Sequence, residues 1–281
     1  MLKSQRLAVL PIEPSSFASD LDLIDNTEAA NEYGAFTFGS WKSYVLANPS
    51  GDDADTAFRP EVGGLALTDL GRRLPGIMRI VERHFNREKL QWVRVFALQD
   101  GILAPHVDFL EFDKPGVRLQ VPLRTSTESL HSENETVYHL RRGEVWQIHT
   151  TDPHSARSAQ APSRLSLCLD FDGETFDPTG DIYDAIEADT EVYIAQRPEL
   201  PEEELKQMID TAAARITPDT LREEFWPFAE AHYQYRSPAT DIFDWFATAA
   251  SRSAHPELAD RAVDFKRYCL SERAFQEEFS W

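Results

Sequence analysis

Between Leu90 and Asp172 the hydrophobic pattern runs at period two, and beyond Asp172 it runs at the helical period. That switch restricts the chain to a strand-rich core followed by a helical C-terminal part. Leu90, Trp92, Arg94, Phe96 and Leu98 alternate with Gln91, Val93, Val95 and Ala97. Val117, Leu119, Val121 and Leu123 then alternate with Arg118 and Gln120, and Leu165, Leu167 and Leu169 with Arg164, Ser166, Cys168 and Asp170. Residues 137–140 and 144–148 flank Arg141-Arg142-Gly143, a short glycine-containing connection that predicts a hairpin. Strands at such short spacing, with few helical patterns between them, predict an antiparallel barrel or jelly roll.

Upstream, residues 6–12 and 41–46 read as further strands, the stretch Glu13-Pro14-Ser15-Ser16 opens a helix, and residues 48–55 form a loop. Pro75 suits the first turn of a helix whose Ile77, Ile80, Val81 and Phe85 share a face that should pack on the sheet. Downstream, Leu205, Met208, Ile209 and Ala212 form one helical stripe, Leu221, Phe225, Phe228 and His232 a second, and Leu258, Ala262, Phe265 and Cys269 a third, with prolines punctuating the region. The expected organisation is mainly β with α: residues 1–172 hold the β core with N-terminal helices, and residues 173–281 form a helical domain packed on it.

Charge narrows the range of partners. Acidic side chains outnumber basic ones 48 to 28, a formal charge of −20, and no Lys/Arg cluster offsets it. Such a surface repels phosphate backbones and anionic lipid, so neither nucleic acid nor membrane is expected as a partner. Residues 1–15 lack the features of a signal peptide and no run is apolar enough to span a bilayer, which predicts a cytoplasmic protein. Cys168 and Cys269 sit in apolar runs and read as reduced core residues. In a chain this acidic, any anionic ligand needs arginines placed locally for it.

The sharpest chemical signal is Pro105-His106-Val107-Asp108-Phe109, since i and i+2 side chains of a strand share a face and would bring an imidazole and a carboxylate together. A third ligand must come from a distant strand, and both His149 and His154 lie beyond the predicted hairpin. His154 is favoured, because Asp152-Pro153 predicts a turn that redirects the chain toward the metal, whereas His149 ends a strand. Two histidines and a carboxylate form the facial triad of non-haem iron(II) oxygenases, which leaves positions open for a co-substrate and oxygen. Arg164 follows ten residues after His154 and shares a strand face with Ser166, the guanidinium and hydroxyl pair that a buried dicarboxylate would require. His84, His139, His232 and His255 have no partner at ligand spacing and are expected to be structural or solvent-facing.

With these residues in place the chain resembles the bacterial free L-proline hydroxylases, iron(II)/2-oxoglutarate enzymes related to aspartyl/asparaginyl β-hydroxylases. The resemblance is carried by Pro105-His106-Val107-Asp108-Phe109, Gly143-Glu144-Val145-Trp146, Pro153-His154-Ser155-Ala156, Arg164 with its strand, and Phe243-Asp244-Trp245. It implies a double-stranded β-helix core with a C-terminal helical domain, Fe(II) held by His106, Asp108 and His154, and O2 and 2-oxoglutarate as co-substrates. It also implies that Arg164, with Ser166 beside it, grips the C5 carboxylate of 2-oxoglutarate, and that Arg118 meets a substrate or co-substrate carboxylate. Two departures stand out. Gln120 occupies the histidine position of the family's Arg-x-His pattern, and Phe96 stands where the family carries an arginine, with Arg94 on the same strand face one step away. Phe96 makes the pocket more apolar and suits a larger ring such as pipecolate. His131 is a further pocket residue, and Trp146 is either pocket or core.

The expected reaction couples oxidative decarboxylation of 2-oxoglutarate, yielding succinate and carbon dioxide, to hydroxylation of an aliphatic C–H of a free cyclic amino acid, L-proline or L-pipecolate. Asp108 argues against halogenation, which needs that coordination position for halide. The competing expectations are hydroxylation of another amino acid or of an aspartyl or asparaginyl residue in a peptide, and a jelly-roll binding protein without redox chemistry.

Overall fold

The computed structural model describes residues 2–29, 34–56, 64–108, 116–159, 162–188, 190–271 and 277–281. Its strands are β1 (Gln5–Val9), β2 (Thr37–Asn48), β3 (Ala66–Leu67), β4 (Leu90–His106), β5 (Gly116–Arg124), β6 (Ser129–Glu133), β7 (Thr136–His139), β8 (Glu144–Gln147), β9 (His154–Ser158), β10 (Arg164–Asp172) and β11 (Tyr193–Ile194). Its helices are α1 (Ala18–Asp25), α2 (Asp69–Arg73), α3 (Pro75–His84), α4 (Pro178–Asp181), α5 (Glu202–Ala213), α6 (Trp226–Gln234), α7 (Asp241–Arg252) and α8 (Leu258–Leu270). Among the described residues, no helix is long and apolar enough to cross a membrane.

Strand β4 belongs to two sheets. Its residues 90–98 pair with β10, which pairs with β5, which pairs with β8. Its residues 101–106 pair with β9, which pairs with β6, which pairs with β7. From β4 to β10 the chain thus shares its strands between two four-stranded antiparallel sheets, the connectivity of a double-stranded β-helix or jelly roll. The outer strands extend them: β1 beside β8, β2 beside β4, and β11 beside β7. The change of sheet occurs at Asp100 and Gly101. Asp100 has φ 42°, and a side chain on Gly101 would lie 2.7 Å from the Phe38 carbonyl oxygen, so the strand crosses over where only a glycine fits.

The period-two pattern reads correctly as two faces. Leu119, Val121, Leu123, Leu165, Leu167, Leu169, Val93 and Val95 point outward and share one apolar cluster with Phe17, Ile77, Ile80, Val81 and Phe85 from the N-terminal helical layer. Helix α3 keeps its apolar face on that sheet, and its first turn is held by α1, where the Asp20 carboxylate accepts the Ile77 N–H at 2.8 Å. The alternate residues of β5 and β10 therefore face into the barrel. On the other side, α5 to α8 bury Ile209, Phe228, Phe243, Phe246 and Phe265 in one cluster with Phe36, Phe38, Trp41, Phe96, Leu98 and Ile102.

Two sequence expectations need correction. Strands β7 and β8 do not form a hairpin: β7 pairs with β6 and β11, while β8 pairs with β1 and β5. Gly143, at φ 79°, turns the chain across the barrel instead, donating to the Pro122 carbonyl and accepting from the Leu10 N–H. The hairpin lies one step earlier, between β6 and β7, where Asn134 takes φ 51°, a left-handed conformation that asparagine tolerates. Nor does the chain turn helical directly after Asp172. Between β10 and α5 the described residues hold the short α4 and the edge strand β11, with Ile186 and Ile182 bridging back to Val9 and Phe85. These stretches satisfy their backbone groups on existing sheet edges, which a helical period does not record.

Candidate active site

The crossover in β4 delivers His106 to the last position of the strand, opposite His154 at the start of β9. Asp108 lies just past the strand end, so its convergence with His106 does not come from a strand face as expected. It comes from two backbone anchors, the Val107 N–H on the Cys269 carbonyl of α8 and the Asp108 N–H on the Thr150 carbonyl. Phe109 lies outside the described residues.

One ligating atom from each of His106, Asp108 and His154 falls within 4.8 Å of the others. Asp108 Oδ1 is 3.5 Å from His106 Nε2 and 3.9 Å from His154 Nε2. The two imidazoles lie 4.3 Å apart between centroids, and Phe36 packs on the His106 ring at 4.5 Å. His106 Nδ1 lies 2.8 Å from the Ala104 carbonyl and His154 Nδ1 3.1 Å from the Asp152 carbonyl. A carbonyl only accepts, so each ring has a proton on Nδ1, which leaves Nε2, on the Asp108 side, as the nitrogen able to bind a metal. That is the tautomer a metal ligand needs, with the second nitrogen held by an outer partner. His149, the rival ligand, points elsewhere, its Nε2 3.0 Å from Thr151 Oγ1.

The second oxygen of Asp108 is already engaged. Arg118 Nη1 donates to Oδ2 at 2.5 Å, while Arg118 Nε donates to Asp170 Oδ1 at 2.8 Å and Arg94 Nη2 to Asp170 Oδ2 at 2.8 Å. Two arginines and two aspartates thus form a buried line of alternating charge. Arg94, expected in the pocket, is fully buried between Asp170 and the faces of Trp92 and Phe96 and is not among the cavity-lining residues.

Arg164 has different surroundings. It is buried, and its hydrogen bonds go to neutral groups: Nη2 to Gln120 Oε1 at 3.2 Å and to His131 Nε2, and Nε to Ser166 Oγ at 3.4 Å. Its Nη1 is buried without a hydrogen-bond partner. Burial lowers its pKa to about 10, which leaves it charged at neutral pH, and pushes His131 well below the usual histidine range, Arg164 adding to the effect, so that His131 is a neutral acceptor. Ser166 sits behind Arg164 and is not part of the lining.

Both halves open onto one small, partly open cavity, with about 40 Å³ available to the centres of water-sized molecules. Phe96, Arg118, Gln120, His131 and Arg164 line it with the triad, as do Ser155 and Ala156 of the Pro153-His154-Ser155-Ala156 motif and Trp41, Leu103, Ile148 and Thr150, none of which the sequence assigned to the pocket. Trp41 packs against Phe96 at 5.0 Å between centroids with the rings tilted by 39°, forming an apolar wall. Trp146 is core rather than pocket, fully buried against Tyr138 with its indole N–H on Glu144 Oε2. Asp170 was discernible as the acidic member of the Arg164/Ser166 face. Tyr233 was not, because it reaches the site from α6, its hydroxyl 2.7 Å from Ser155 Oγ, which itself donates to the Leu103 carbonyl.

The donor set fits a divalent metal. It consists of two imidazole nitrogens and one carboxylate oxygen, the facial-triad composition, beside a buried guanidinium whose hydrogen bonds go to neutral groups and whose Nη1 has no hydrogen-bond partner. Residues 183–277 match the family model described as L-proline 3-hydroxylase, C-terminal. Over almost its whole length the chain is similar to three curated proteins. It is 29% identical to L-proline cis-3-hydroxylase 2 and 27% identical to L-proline cis-3-hydroxylase 1, both from Streptomyces sp., covering 99% of each chain in both cases. It is 26% identical to L-proline cis-4-hydroxylase from Rhizobium meliloti (strain 1021), covering 95% of each chain. Residues 16–173, more than half of the chain and all of the barrel, match the model described as aspartyl/asparaginyl beta-hydroxylase, and the chain belongs to that family.

Proposed function

We propose that this protein is an iron(II)- and 2-oxoglutarate-dependent dioxygenase that hydroxylates an aliphatic C–H bond of a free cyclic amino acid, L-proline or L-pipecolate. One observation carries the reading: a three-ligand cluster and a buried arginine with an unpartnered Nη1 face each other across a single small cavity. The similarity to L-proline hydroxylases along nearly the whole chain supports the substrate class.

His106 Nε2, Asp108 Oδ1 and His154 Nε2 are the atoms that would hold the iron, and a three-ligand set leaves coordination positions for a chelating co-substrate and oxygen. When bound, the metal supplies the redox chemistry that couples 2-oxoglutarate decarboxylation to hydroxylation. Arg164 receives the C5 carboxylate of 2-oxoglutarate; Gln120, His131 and Ser166 hold its guanidinium in plane while leaving Nη1 to the ligand. Arg118 keeps Asp108 Oδ2 occupied, so that the carboxylate presents Oδ1 to the histidines. Once Asp108 is committed to a divalent cation, Arg118 has positive charge to offer a substrate carboxylate. The Trp41–Phe96 wall, with Leu103 and Ile148, excludes water and receives an apolar ring. Arg94 serves this arrangement from behind by holding Asp170. A small-molecule enzyme of this kind, acting in the cytoplasm, needs no nucleic-acid or membrane surface.

The test is succinate release over a panel of free amino acids with iron(II) and 2-oxoglutarate under air, followed by mass analysis of the amino acids. L-Proline or L-pipecolate is expected to stimulate succinate and to gain one oxygen atom. A panel in which no amino acid stimulates succinate overturns the reading.

A further inference from the structure

The turn of residues 149–152, between β8 and β9, contributes no ligand, yet its backbone meets two of the three triad residues. The Thr150 carbonyl accepts the Asp108 N–H at 2.9 Å, and the Asp152 carbonyl accepts His154 Nδ1–H at 3.1 Å. Its placement therefore sets how Asp108 and His154 face each other.

What holds this turn comes from elsewhere in the chain. Ser4 Oγ accepts the His149 N–H at 2.9 Å, and Lys3 Nζ pairs with Asp152 Oδ2 at 2.6 Å. From the β6–β7 hairpin the Asn134 N–H donates to the Pro153 carbonyl at 2.9 Å, and Asn134 Nδ2 to Asp152 Oδ2 at 3.3 Å. The N-terminal segment is in turn captured by one carboxylate. Glu133 Oε1 accepts the Lys3 N–H at 2.6 Å, and Oε2 accepts the Ser4 N–H at 2.9 Å and the Ser4 hydroxyl at 2.6 Å. Glu133 is only 2% exposed and lies opposite His154 in the β6–β9 register. A buried carboxylate is costly unless its oxygens are satisfied, and two backbone amides and a hydroxyl of this segment donate to Glu133. Ser4 Oγ is a relay, donating to Glu133 and accepting from His149.

We infer that Glu133 is a positioning residue of the metal centre: through Lys3 and Ser4 it fixes the turn of residues 149–152, and through that turn the orientation of His154 and Asp108. The inference rests on the metal reading proposed above. It requires a hydroxyl at position 4 that donates and accepts, which threonine supplies and alanine does not.

The experiment titrates Co(II) alone, without 2-oxoglutarate, into the full chain and into Glu133→Gln, Ser4→Ala, Ser4→Thr and Asp108→Ala, following the visible cobalt bands together with thermal melting. Outer-partner changes at metal sites typically cost ~10- to 100-fold in affinity, and Glu133→Gln and Ser4→Ala are expected to weaken binding by about that much and to alter the bands. Ser4→Thr is expected to bind as the parent does. If Glu133→Gln and Ser4→Ala bind Co(II) with parental affinity and bands, the inference is overturned, however far their melting temperatures fall. Should Glu133→Gln not fold, the contrast between Ser4→Ala and Ser4→Thr decides in the same way. If Asp108→Ala leaves parental Co(II) binding unchanged, the metal reading itself fails, and this inference with it.

Discussion

Asp108 and Arg118 share a 2.5 Å charge-assisted hydrogen bond on the carboxylate oxygen that faces away from the two imidazoles. Arg118 then passes to Asp170, and Asp170 to Arg94, so the line of four charges neutralises itself inside the barrel. Arg164 has no such partner among its hydrogen bonds. Two buried cations on one cavity therefore differ in their surroundings: Arg118 is bonded to two carboxylates, and the hydrogen bonds of Arg164 go to neutral groups.

Removing a triad side chain should end turnover without dismantling the barrel, because each sits at a strand end facing the cavity. Asp108→Ala and His154→Ala are each expected to abolish succinate production. His149→Ala, which keeps the backbone N–H bonded to Ser4, should retain it. Full succinate production by Asp108→Ala would remove that residue from the metal site, and a swap of outcomes between the two histidines would reassign the third ligand.

Arg164→Lys keeps a positive charge but loses the planar fork and the bonds to Gln120 and His131 that aim it. Losing one partner of a buried charged contact costs on the order of 2–5 kcal/mol, or roughly 30- to several-thousand-fold at about 1.4 kcal/mol per decade. The 2-oxoglutarate concentration at half-maximal rate should rise accordingly. A titration curve identical to that of the parent refutes the assignment.

Arg118→Ala leaves Asp170 facing Arg94 alone and Asp108 Oδ2 without its cation. Breaking a buried ion pair by removing one partner typically destabilises by about 3–5 kcal/mol, which urea unfolding would register. In catalysis we expect uncoupling, with 2-oxoglutarate still consumed slowly while hydroxylated L-proline or L-pipecolate nearly vanishes. Succinate and hydroxylated product measured in one reaction decide the point: unchanged coupling means that Arg118 does not anchor the substrate.

Acid should destabilise the fold through histidines that are buried neutral. Burial, reinforced by Arg197, lowers the His232 pKa to about 3 from 6.5. Between those values the unfolded chain takes up a proton that the folded chain refuses, so this contribution to stability is present above pH 6.5 and is lost as the pH falls below it. Each such group contributes a slope of up to ~1.4 kcal/mol per pH unit in that window. His232→Phe is expected to flatten the pH dependence of urea unfolding between neutral pH and pH 5 by one proton's worth. An unchanged slope would place the acid sensitivity at other groups, His131 first among them.

The sequence by itself determined which residues share a face. Period-two alternation set Leu119, Val121 and Leu123 against Arg118 and Gln120 and grouped Arg164 with Ser166 in β10, while the Asp152-Pro153 turn marked out His154; the helical layer packed on the aliphatic face decided which side looks into the barrel. The shared faces and the turn are local properties, carried by the geometry of a strand and the stiffness of a proline. Only the tertiary structure decided the partners. Strand β6 escaped notice because Ser129, His131, Ser132 and Glu133 are polar, buried by pairing and hydrogen bonding rather than by apolar alternation. The turn at Gly143 looks like a hairpin in the sequence, because a glycine at positive φ can close a hairpin or cross to another sheet, and bonds to Pro122 and Leu10 far along the chain select the crossing. Tyr233, the pairing of Asp170 with two arginines, and the hold of Glu133 on the N-terminal segment all join residues tens to more than a hundred positions apart. No local period records such contacts, since they exist only once both sheets have closed around the cavity and removed water from the charges between them.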